Sequence, residues 1–236
     1  STNIFLLKSC SQLIKDYQIV VADFQTDGYG RNQKKFVSSF GKQLLFSFSL
    51  TFDKLEDIKG LSLVIGLSII KSLEKSGYKN LNIKWPNDIV ASGKKLCGIL
   101  TKMSTDAEAI QYIIVGLGIN VNQKNFHPEI AEIATSLYLE TKEEKSQVNI
   151  IADFLSAFET YYEQFRLTKD LSLLKEEYNQ KLVHRNSMVR IIEEGQEKTV
   201  KALEINEKGE LLVEEQGQIR TIIAGEISVR GIYGYT

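Results

Sequence analysis

The stretch TDGYGRNQKKFVSSFG, residues 26–41, combines glycines with cationic side chains between two segments of strand character. Gly28 and Gly30 allow the backbone to approach a ligand closely. The guanidinium of Arg31 presents a rigid fork of donors that suits a carboxylate or a phosphate. The segment therefore predicts an anion-binding loop, with a solvated hairpin loop as the alternative. It is not a P-loop, because the pattern G-x-x-x-x-G-K-[ST] occurs nowhere in the chain.

A second polar group follows in KWPNDIVASGKKLCGIL, residues 84–100. Pro86 ends strand pairing, so Asn87 and Asp88 are expected at a strand exit, where polar groups can face a ligand. The turn SGKK folds the chain back and brings Lys95 near them. Lys95 would then hold an anion while Asp88 handles a metal or a nucleotide. The alternative is a purely structural ion pair.

Glycines interrupt the strand-like segment VGLGINVN, residues 115–122. Gly116 and Gly118 predict close approach of a ligand or of another backbone, with a β-bulge as the alternative. Asn120 follows with an amide that both donates and accepts. A dinucleotide-binding fingerprint is weakly supported, because no third glycine stands at the required spacing.

The elements that position these residues follow from hydrophobic periodicity. Residues 19–24 predict a buried strand, and residues 44–50 predict a strand with Leu44, Phe46, Phe48 and Leu50 on one face and serines on the other. Strands are also expected at 81–85, 94–103 and 111–121, with the last two joined by the turn STDAE. Helical spacing predicts a helix that ends at Gly77 and an apolar helical stripe formed by Ile151, Phe154, Phe158, Tyr162 and Phe165.

After His184, five short alternating runs are separated by turn residues, which is typical of a small all-β barrel or sandwich. The sequence therefore predicts a mixed α+β body, residues 1–184, and a C-terminal β domain, residues 185–236.

The bulk composition is that of a globular protein, with 236 residues, 43% hydrophobic and 25% charged. A net charge of -1 and a pI near 6.2 argue against a general nucleic-acid binder. The two cysteines, Cys10 and Cys97, have no metal-binding spacing and fit a reducing compartment. No signal peptide or membrane-length apolar run is present, so we expect a cytoplasmic protein. The chain begins at Ser1 and not at Met, so its start leaves open whether residues precede Ser1 in the native chain.

A series of motifs occurs in one order along the chain: STN at 1–3, Q-x-x-G-x-G-R at 25–31, F-x-S-x-x-G at 36–41, KWPND at 84–88, KK-x-x-GI at 94–99, GLGINV at 116–121, ATSL at 134–137 and GEISVR at 225–230. Each motif alone is weak, but the combination is highly specific. With it, the chain resembles the biotin protein ligases, biotin–[acetyl-CoA-carboxylase] ligases, from Ser1 to Arg230.

The resemblance implies a fold and a reaction. The fold is a central mixed sheet with helices, as in class II aminoacyl-tRNA synthetases, followed by a small SH3-like β-barrel. Biotin is joined to ATP as biotinyl-5'-AMP, with Mg²⁺ expected on the phosphates, and is then passed to a lysine of biotin carboxyl carrier protein. Because the chain starts at STN, it resembles the ligase-only group without a DNA-binding domain. A monomer and a homodimer are both compatible with the resemblance.

The resemblance also assigns residues. Lys95 and Arg31 are the expected catalytic cations. The biotin site is expected to comprise Ser1, Thr2, Asn3, Gln25, Gly28, Tyr29, Gly30, Arg31, Lys95, Gly98, Gly116 and Gly118. The ATP and adenylate site is expected to comprise Arg31, Lys34, Phe36, Lys84, Asn87, Asp88, Lys95, Asn120 and Arg230, with Glu226 reaching toward the nucleotide. The metal ligands are left open.

The loop departs from the usual pattern of the family, which is close to G-R-G-R-x-G-R-x-W. Tyr29 replaces an arginine, Gln33 a glycine, Lys34 an arginine and Phe36 the tryptophan. Only a backbone role can be carried over to Tyr29, and Lys34 keeps the charge without the bidentate fork. Two alternatives stay open: a lipoate-type ligase on the same fold, and a homologue that binds biotin without catalysis.

The Arg31→Gly variant tests the role of the loop. We expect it to retain biotinyl-adenylate less tightly and to release activated biotin, because the carboxylate and phosphate lose their guanidinium partner. Release of labelled adenylate measures this effect. Retention equal to that of the parent would refute an adenylate-holding loop.

Overall fold

The computed structural model divides into two compact units, residues 1–58 with 96–149 and residues 59–95 with 150–236. The described residues are 1–9, 17–30, 36–52, 54, 58–105, 111–193, 196–224, 228–231 and 235–236. The predicted turn STDAE falls mostly outside them.

The first unit is built on four antiparallel strands. Its elements are α1 (Thr2–Ser9), β1 (Ile19–Ala22), β2 (Gln43–Phe52), β5 (Lys94–Thr105), β6 (Gln111–Asn120), α3 (Pro128–Ala131) and α4 (Leu137–Thr141). Lys94 and Lys95 of β5 belong to the second unit. The strands lie side by side in the order β1-β2-β6-β5.

Strand β2 has two different faces, as the alternation predicts. The apolar residues Leu44, Phe46, Phe48 and Leu50 are buried on one face. Ser47 is also buried, on the other face, because α1 covers that side of the sheet. Leu6 of α1 packs there against a cluster that includes Ile114 of β6. The serine face is thus an interior polar surface that positions the start of α1.

Strand β1 forms where it is expected, but the prediction that it is buried is wrong. Ile19 is 38% exposed and Val21 is 52% exposed. Within the part of the chain that the structure describes, β1 pairs with β2 alone. Its apolar residues therefore belong to an edge strand rather than to a central one.

The second unit contains α2 (Leu61–Lys75), β3 (Leu81–Lys84), β4 (Asp88–Ala91), most of α5 (Gln147–Thr168), α6 (Lys175–Lys181), β7 (Ser187–Glu193), β8 (Gln196–Ile205), β9 (Leu211–Glu215), β10 (Gln218–Ile222) and β11 (Ser228–Gly231). Helix α2 stops where the sequence predicts, before Gly77 at a φ of 90°. Strands β3 and β4 form an antiparallel hairpin around the KWPND motif.

The apolar stripe of α5 is confirmed at its three phenylalanines and is wrong at its other two members. Ile150 and Tyr161 are buried, whereas Ile151 and Tyr162 are only partly buried. The buried positions follow steps of three and four residues, which keep one face of the helix toward the core.

The five strands predicted after His184 all form, and they pair antiparallel in the order β10-β9-β8-β7-β11. Over its described residues this sheet is open. Trp85, after β3, and Asn179, on α6, make buried hydrogen bonds to this C-terminal β region. The indole Nε1 of Trp85 donates to the carbonyl of Gly209 at 3.0 Å. The Asn179 amide accepts from the backbone N–H of Ile205 and donates to its carbonyl.

Candidate active site

The N-terminus of α1 lies on the serine face of the first unit. Thr2 and Asn3 are both buried there. The Ser47 hydroxyl oxygen is 2.6 Å from the Thr2 hydroxyl and 2.6 Å from the Asn3 amide oxygen. Because Ser47 has one hydrogen to give, it donates to Asn3 and accepts from Thr2. The orientation of the Asn3 amide is therefore set by a buried serine that the sequence analysis did not select.

Three glycines line this face next to Ser47. Gly116 pairs with Ser47, and Gly118 pairs with Gly98. A Cβ on Gly116 would lie 2.3 Å from the Asn3 amide oxygen, and one on Gly118 would lie 2.7 Å from the Phe36 ring. Glycine is required at both positions because another side chain already occupies the space above the strand. The approaching groups are therefore side chains of the protein, not the ligand or second backbone that the sequence predicts, and a ligand contact at these glycines stays a prediction.

The loop of residues 25–30 is fixed to the same unit. The Gln25 amide oxygen accepts from the backbone N–H of Thr2 at 2.8 Å. The Gly28 carbonyl accepts from the backbone N–H of Phe36 at 2.9 Å, so the loop is tied at Gln25 and at Gly28. The Lys102 ammonium lies 4.4 Å from the centroid of the Tyr29 ring, a cation–π contact. Lys102 is a second residue that the sequence analysis missed.

Several assigned residues of the loop and the C-terminal region lie outside the described part of the chain. They are Arg31, Gln33, Lys34 and Glu226. Their roles stay predictions.

Asn120 lies at the end of β6 within a buried amide network. Its Nδ2 donates to the carbonyl of Thr135, and its Oδ1 accepts from Gln43 and from Gln123. The ATSL motif completes the network, because Ser136 donates to the Gln123 carbonyl and caps α4. The network joins two sequence motifs, so Asn120 has a structural function whether or not it also reaches a nucleotide.

The second unit carries an ionic group on the β3–β4 hairpin and the start of β5. The Lys95 ammonium is 2.7 Å from one oxygen of Asp88. The Tyr235 hydroxyl donates to the other oxygen of Asp88. The hairpin thus brings Asp88 and Lys95 together as the sequence predicts, and Tyr235 is a further member that the sequence analysis missed.

Lys84 is buried, with 7% of its surface exposed. Its ammonium donates to the Tyr235 carbonyl at 2.6 Å and lies 3.5 Å from the centroid of the Tyr235 ring. His184 is also buried. Burial first, and then the charge of Lys84, lower the pKa of His184 to about 4. At neutral pH, Lys84 is therefore next to an uncharged imidazole.

For Asn87 and Arg230, the two remaining residues assigned to the nucleotide site, the structure gives burial and strand position. Asn87 is half-buried in the turn between β3 and β4. Arg230 is exposed on β11, opposite Arg190 on β7. Over the described residues, no cluster of three or more His, Cys, Asp or Glu side chains is arranged to hold a metal ion.

The two groups differ in chemistry. Neutral amides and hydroxyls over a glycine surface suit an uncharged polar ligand. Ammonium groups beside one carboxylate suit an anion such as a phosphate.

Comparisons with known proteins identify the family of this chain. Residues 1–120 match the model of the biotin/lipoate A/B protein ligase family, and residues 184–230 match that of the biotin protein ligase C-terminal domain. The bifunctional ligase/repressor BirA of Bacillus subtilis is 32% identical over 214 residues, which cover 89% of this chain and 66% of that protein. Escherichia coli BirA is 30% identical, with 98% of this chain and 71% of that protein covered. The chain thus spans about two thirds of the length of these relatives.

A solved structure shows the same fold. The biotin protein ligase of Aquifex aeolicus, in complex with biotin and ATP, is 32% identical and superposes with a TM-score of 0.86, covering 98% of this chain and 95% of that one. The chain belongs to the biotin protein ligase family. In the described part of the chain, no helix has the length and apolar character needed to span a membrane.

The environment of His184 predicts a pH dependence of stability. The unfolded imidazole titrates near 6.5 and the folded one near 4, so protons bind the unfolded chain first as the pH falls. His184 then lowers the free energy of unfolding by about 3 kcal/mol between pH 6.5 and pH 4, and by nothing above that range. Denaturant unfolding of His184→Gln, as a function of pH, should lack this component.

The control is His127→Gln, because His127 is the only other histidine and its side chain is exposed. Equal pH profiles for the parent and His184→Gln would show that the imidazole is not held neutral.

Proposed function

We propose that this protein is a biotin–protein ligase that activates biotin with ATP and transfers it to a lysine of biotin carboxyl carrier protein, a subunit of acetyl-CoA carboxylase. The observation that carries the proposal is the presence, each within its own unit, of two polar groups on the expected motifs. One is the neutral Thr2–Asn3–Ser47 group over Gly116, and the other is the ionic Asp88–Lys95 group. The similarity to a ligase solved with biotin and ATP supports it.

The neutral group would bind the biotin ring system. Asn3 is held by Ser47 with its amide fixed, so it can offer hydrogen bonds to a ureido group without a loss of side-chain freedom on binding. Gly98 would form part of the floor beneath the ligand, and Gly116 and Gly118 would leave room for the Asn3 and Phe36 side chains that face it. The backbone of Gly28, Tyr29 and Gly30 would cover it, with Ser1 and Gln25 at its edge.

The ionic group would serve the first chemical step. The biotin carboxylate oxygen attacks the α-phosphorus of ATP, the bond to the β-phosphate breaks, and pyrophosphate leaves. Both reactants are anions, so cations between them lower the barrier. Lys95, oriented by Asp88, is the principal cation, and Arg31 is the second. Lys34, Phe36, Lys84, Asn87, Asn120 and Arg230 would line the nucleotide side.

Mg²⁺ would enter with ATP as part of the substrate and neutralise charge on the phosphates. Asp88 is the carboxylate in the ionic group, and it already faces an ammonium. A single carboxylate next to bound phosphates is a usual environment for Mg²⁺.

In the second step the carrier lysine, as a free amine, attacks the acyl carbon of biotinyl-5'-AMP. The acyl–oxygen bond breaks, AMP leaves, and an amide forms. No enzyme nucleophile is required. We further propose a catalytic domain, residues 1–184, and an SH3-like barrel, residues 185–236, which the C-terminal family match supports. We expect the protein to act in the cytoplasm as a monomer or homodimer.

The matched family also includes lipoate ligases, which activate a different carboxylic acid. Calorimetric titration with biotin and with lipoate distinguishes the two substrates. Biotin-dependent release of pyrophosphate distinguishes a ligase from a homologue that only binds. Transfer of labelled biotin to a carrier domain tests the complete reaction, and its absence with an active carrier would refute the proposal.

Lys95→Ala tests the principal cation. We expect adenylation to fall about 100-fold or more, because a charge that stabilises the transition state is lost. Pyrophosphate release at saturating biotin measures it. Lys94→Ala is the control, since it removes the neighbouring ammonium of the same strand, whose side chain points to the opposite face. Similar losses in both variants would contradict the assignment.

Gly116→Ala tests the neutral group. The added methyl would overlap the Asn3 amide, so Asn3 must leave its hydrogen bond with Ser47. We expect biotin affinity to fall about tenfold or more, measured by calorimetry. Gly66→Ala is the control, because a Cβ there meets its nearest neighbour at an ordinary 3.6 Å. Unchanged biotin affinity in Gly116→Ala would remove Asn3 from the site.

A further inference from the structure

Tyr235 makes contacts with more than one residue of the ionic group. Its hydroxyl donates to Asp88, its ring lies beneath the Lys84 ammonium at 3.5 Å, and its carbonyl accepts from the same ammonium at 2.6 Å. The hydroxyl of Tyr235 thus contacts Asp88, and its ring and carbonyl contact Lys84. Tyr235 lies beyond residues 184–230, the part matched by the C-terminal domain of the family.

The next residue, Thr236, makes contacts that hold this end of the described chain in place. The Thr236 hydroxyl is 3.4 Å from the Gly93 carbonyl in the turn between β4 and β5. A Cβ on Gly231 would lie 2.0 Å from the Thr236 carbonyl carbon, so the Thr236 backbone packs directly on that glycine. Thr236 is therefore held against the β4–β5 turn and β11 by contacts that do not involve the Tyr235 side chain.

Asp88 is contacted at both of its carboxylate oxygens. One Asp88 oxygen faces the Lys95 ammonium at 2.7 Å, and the other accepts from the Tyr235 hydroxyl. A carboxylate held at both oxygens cannot rotate freely about its Cβ–Cγ bond. The hydroxyl therefore limits where the carboxylate can hold the ammonium. The line of contacts runs from Tyr235 through Asp88 to Lys95.

We propose that Tyr235 is a positioning residue for adenylation, which fixes Asp88 and through it the Lys95 ammonium, and which holds Lys84 by its ring and carbonyl. This inference rests on the proposed function of Lys95. Tyr235 contacts neither biotin nor the phosphates in this scheme. Its effect is on the rate at which bound biotin and ATP react.

The test compares Tyr235→Phe with the parent in biotin-dependent pyrophosphate release at varied ATP. The variant keeps the ring and the carbonyl and loses only the hydrogen bond to Asp88. We expect kcat for adenylation to fall about tenfold, as for loss of a hydrogen bond to a charged group, with biotin affinity unchanged. Tyr235→Ala should lower kcat further, because Lys84 also loses the ring.

Tyr161→Phe is the matched control. The Tyr161 hydroxyl donates to the Glu177 carboxylate at 2.5 Å, a bond of the same type in the same unit between residues with no assigned role in the reaction. It should alter thermal stability without altering kcat. The coupling between Asp88→Asn and Tyr235→Phe is a second measurement. If the hydroxyl acts through the carboxylate, their effects on kcat will not add.

Gly231→Ala gives an independent variant, since it displaces Thr236 without changing any member of the ionic group. It should lower kcat in the same direction as Tyr235→Phe. If Tyr235→Phe stays within twofold of the parent, the inference fails while the ligase function stands. A higher rate in Tyr235→Phe would also overturn it, because the tyrosine would then obstruct the site. A parent that releases no biotin-dependent pyrophosphate would instead refute the proposed function.

Discussion

The register between β2, β6 and β5 is the constraint on which the neutral group depends. It pairs Gln43 with Asn120, Ser47 with Gly116, and Gly98 with Gly118. Side chains alternate along a strand, so a slip by one residue would turn these small and polar residues toward the apolar core. The large side chains on the other face, such as Phe46, oppose any slip because they are fully buried. Packing on one face thus fixes the chemistry of the other.

The ionic group depends on a different constraint: each buried charge must have a partner that offsets the cost of removing it from water. Lys84 and Asp88 are both largely buried, and a buried charge is costly unless it is paired. Asp88 has an ammonium and a hydroxyl, and Lys84 has a carbonyl and an aromatic face. His184 beside Lys84 carries no charge at neutral pH, so it adds no repulsion. The hairpin can hold these charges because Lys95 lies close by in the sequence and Tyr235 brings partners to both charges from a distant part of it.

The sequence predicts what is local and periodic. The alternation at 44–50, the helix that ends at Gly77 and the five C-terminal strands are all confirmed, because hydrophobic period and turn residues determine them directly. The pairing of Asp88 with Lys95 was predictable for the same reason, since a short hairpin joins them. Ser47, Lys102 and Tyr235 were not predictable, because each reaches its partners within its own unit by tertiary packing and belongs to no motif. The exposure of β1 was missed because an apolar run does not reveal whether its strand lies at a sheet edge.

The loop substitution at Tyr29 can be understood in the same physical terms. The resemblance expects an arginine there, and tyrosine removes its positive charge. The Lys102 ammonium lies over the Tyr29 ring, so a cation remains next to the loop, although it comes from β5. A cation on a strand is held by the sheet, whereas a cation on the loop moves with the loop. Since Lys102 lies on the same face of β5 as Gly98, the charge is retained on the glycine side of the sheet. A positive charge therefore lies beside the loop at position 29, although the side chain at that position carries none.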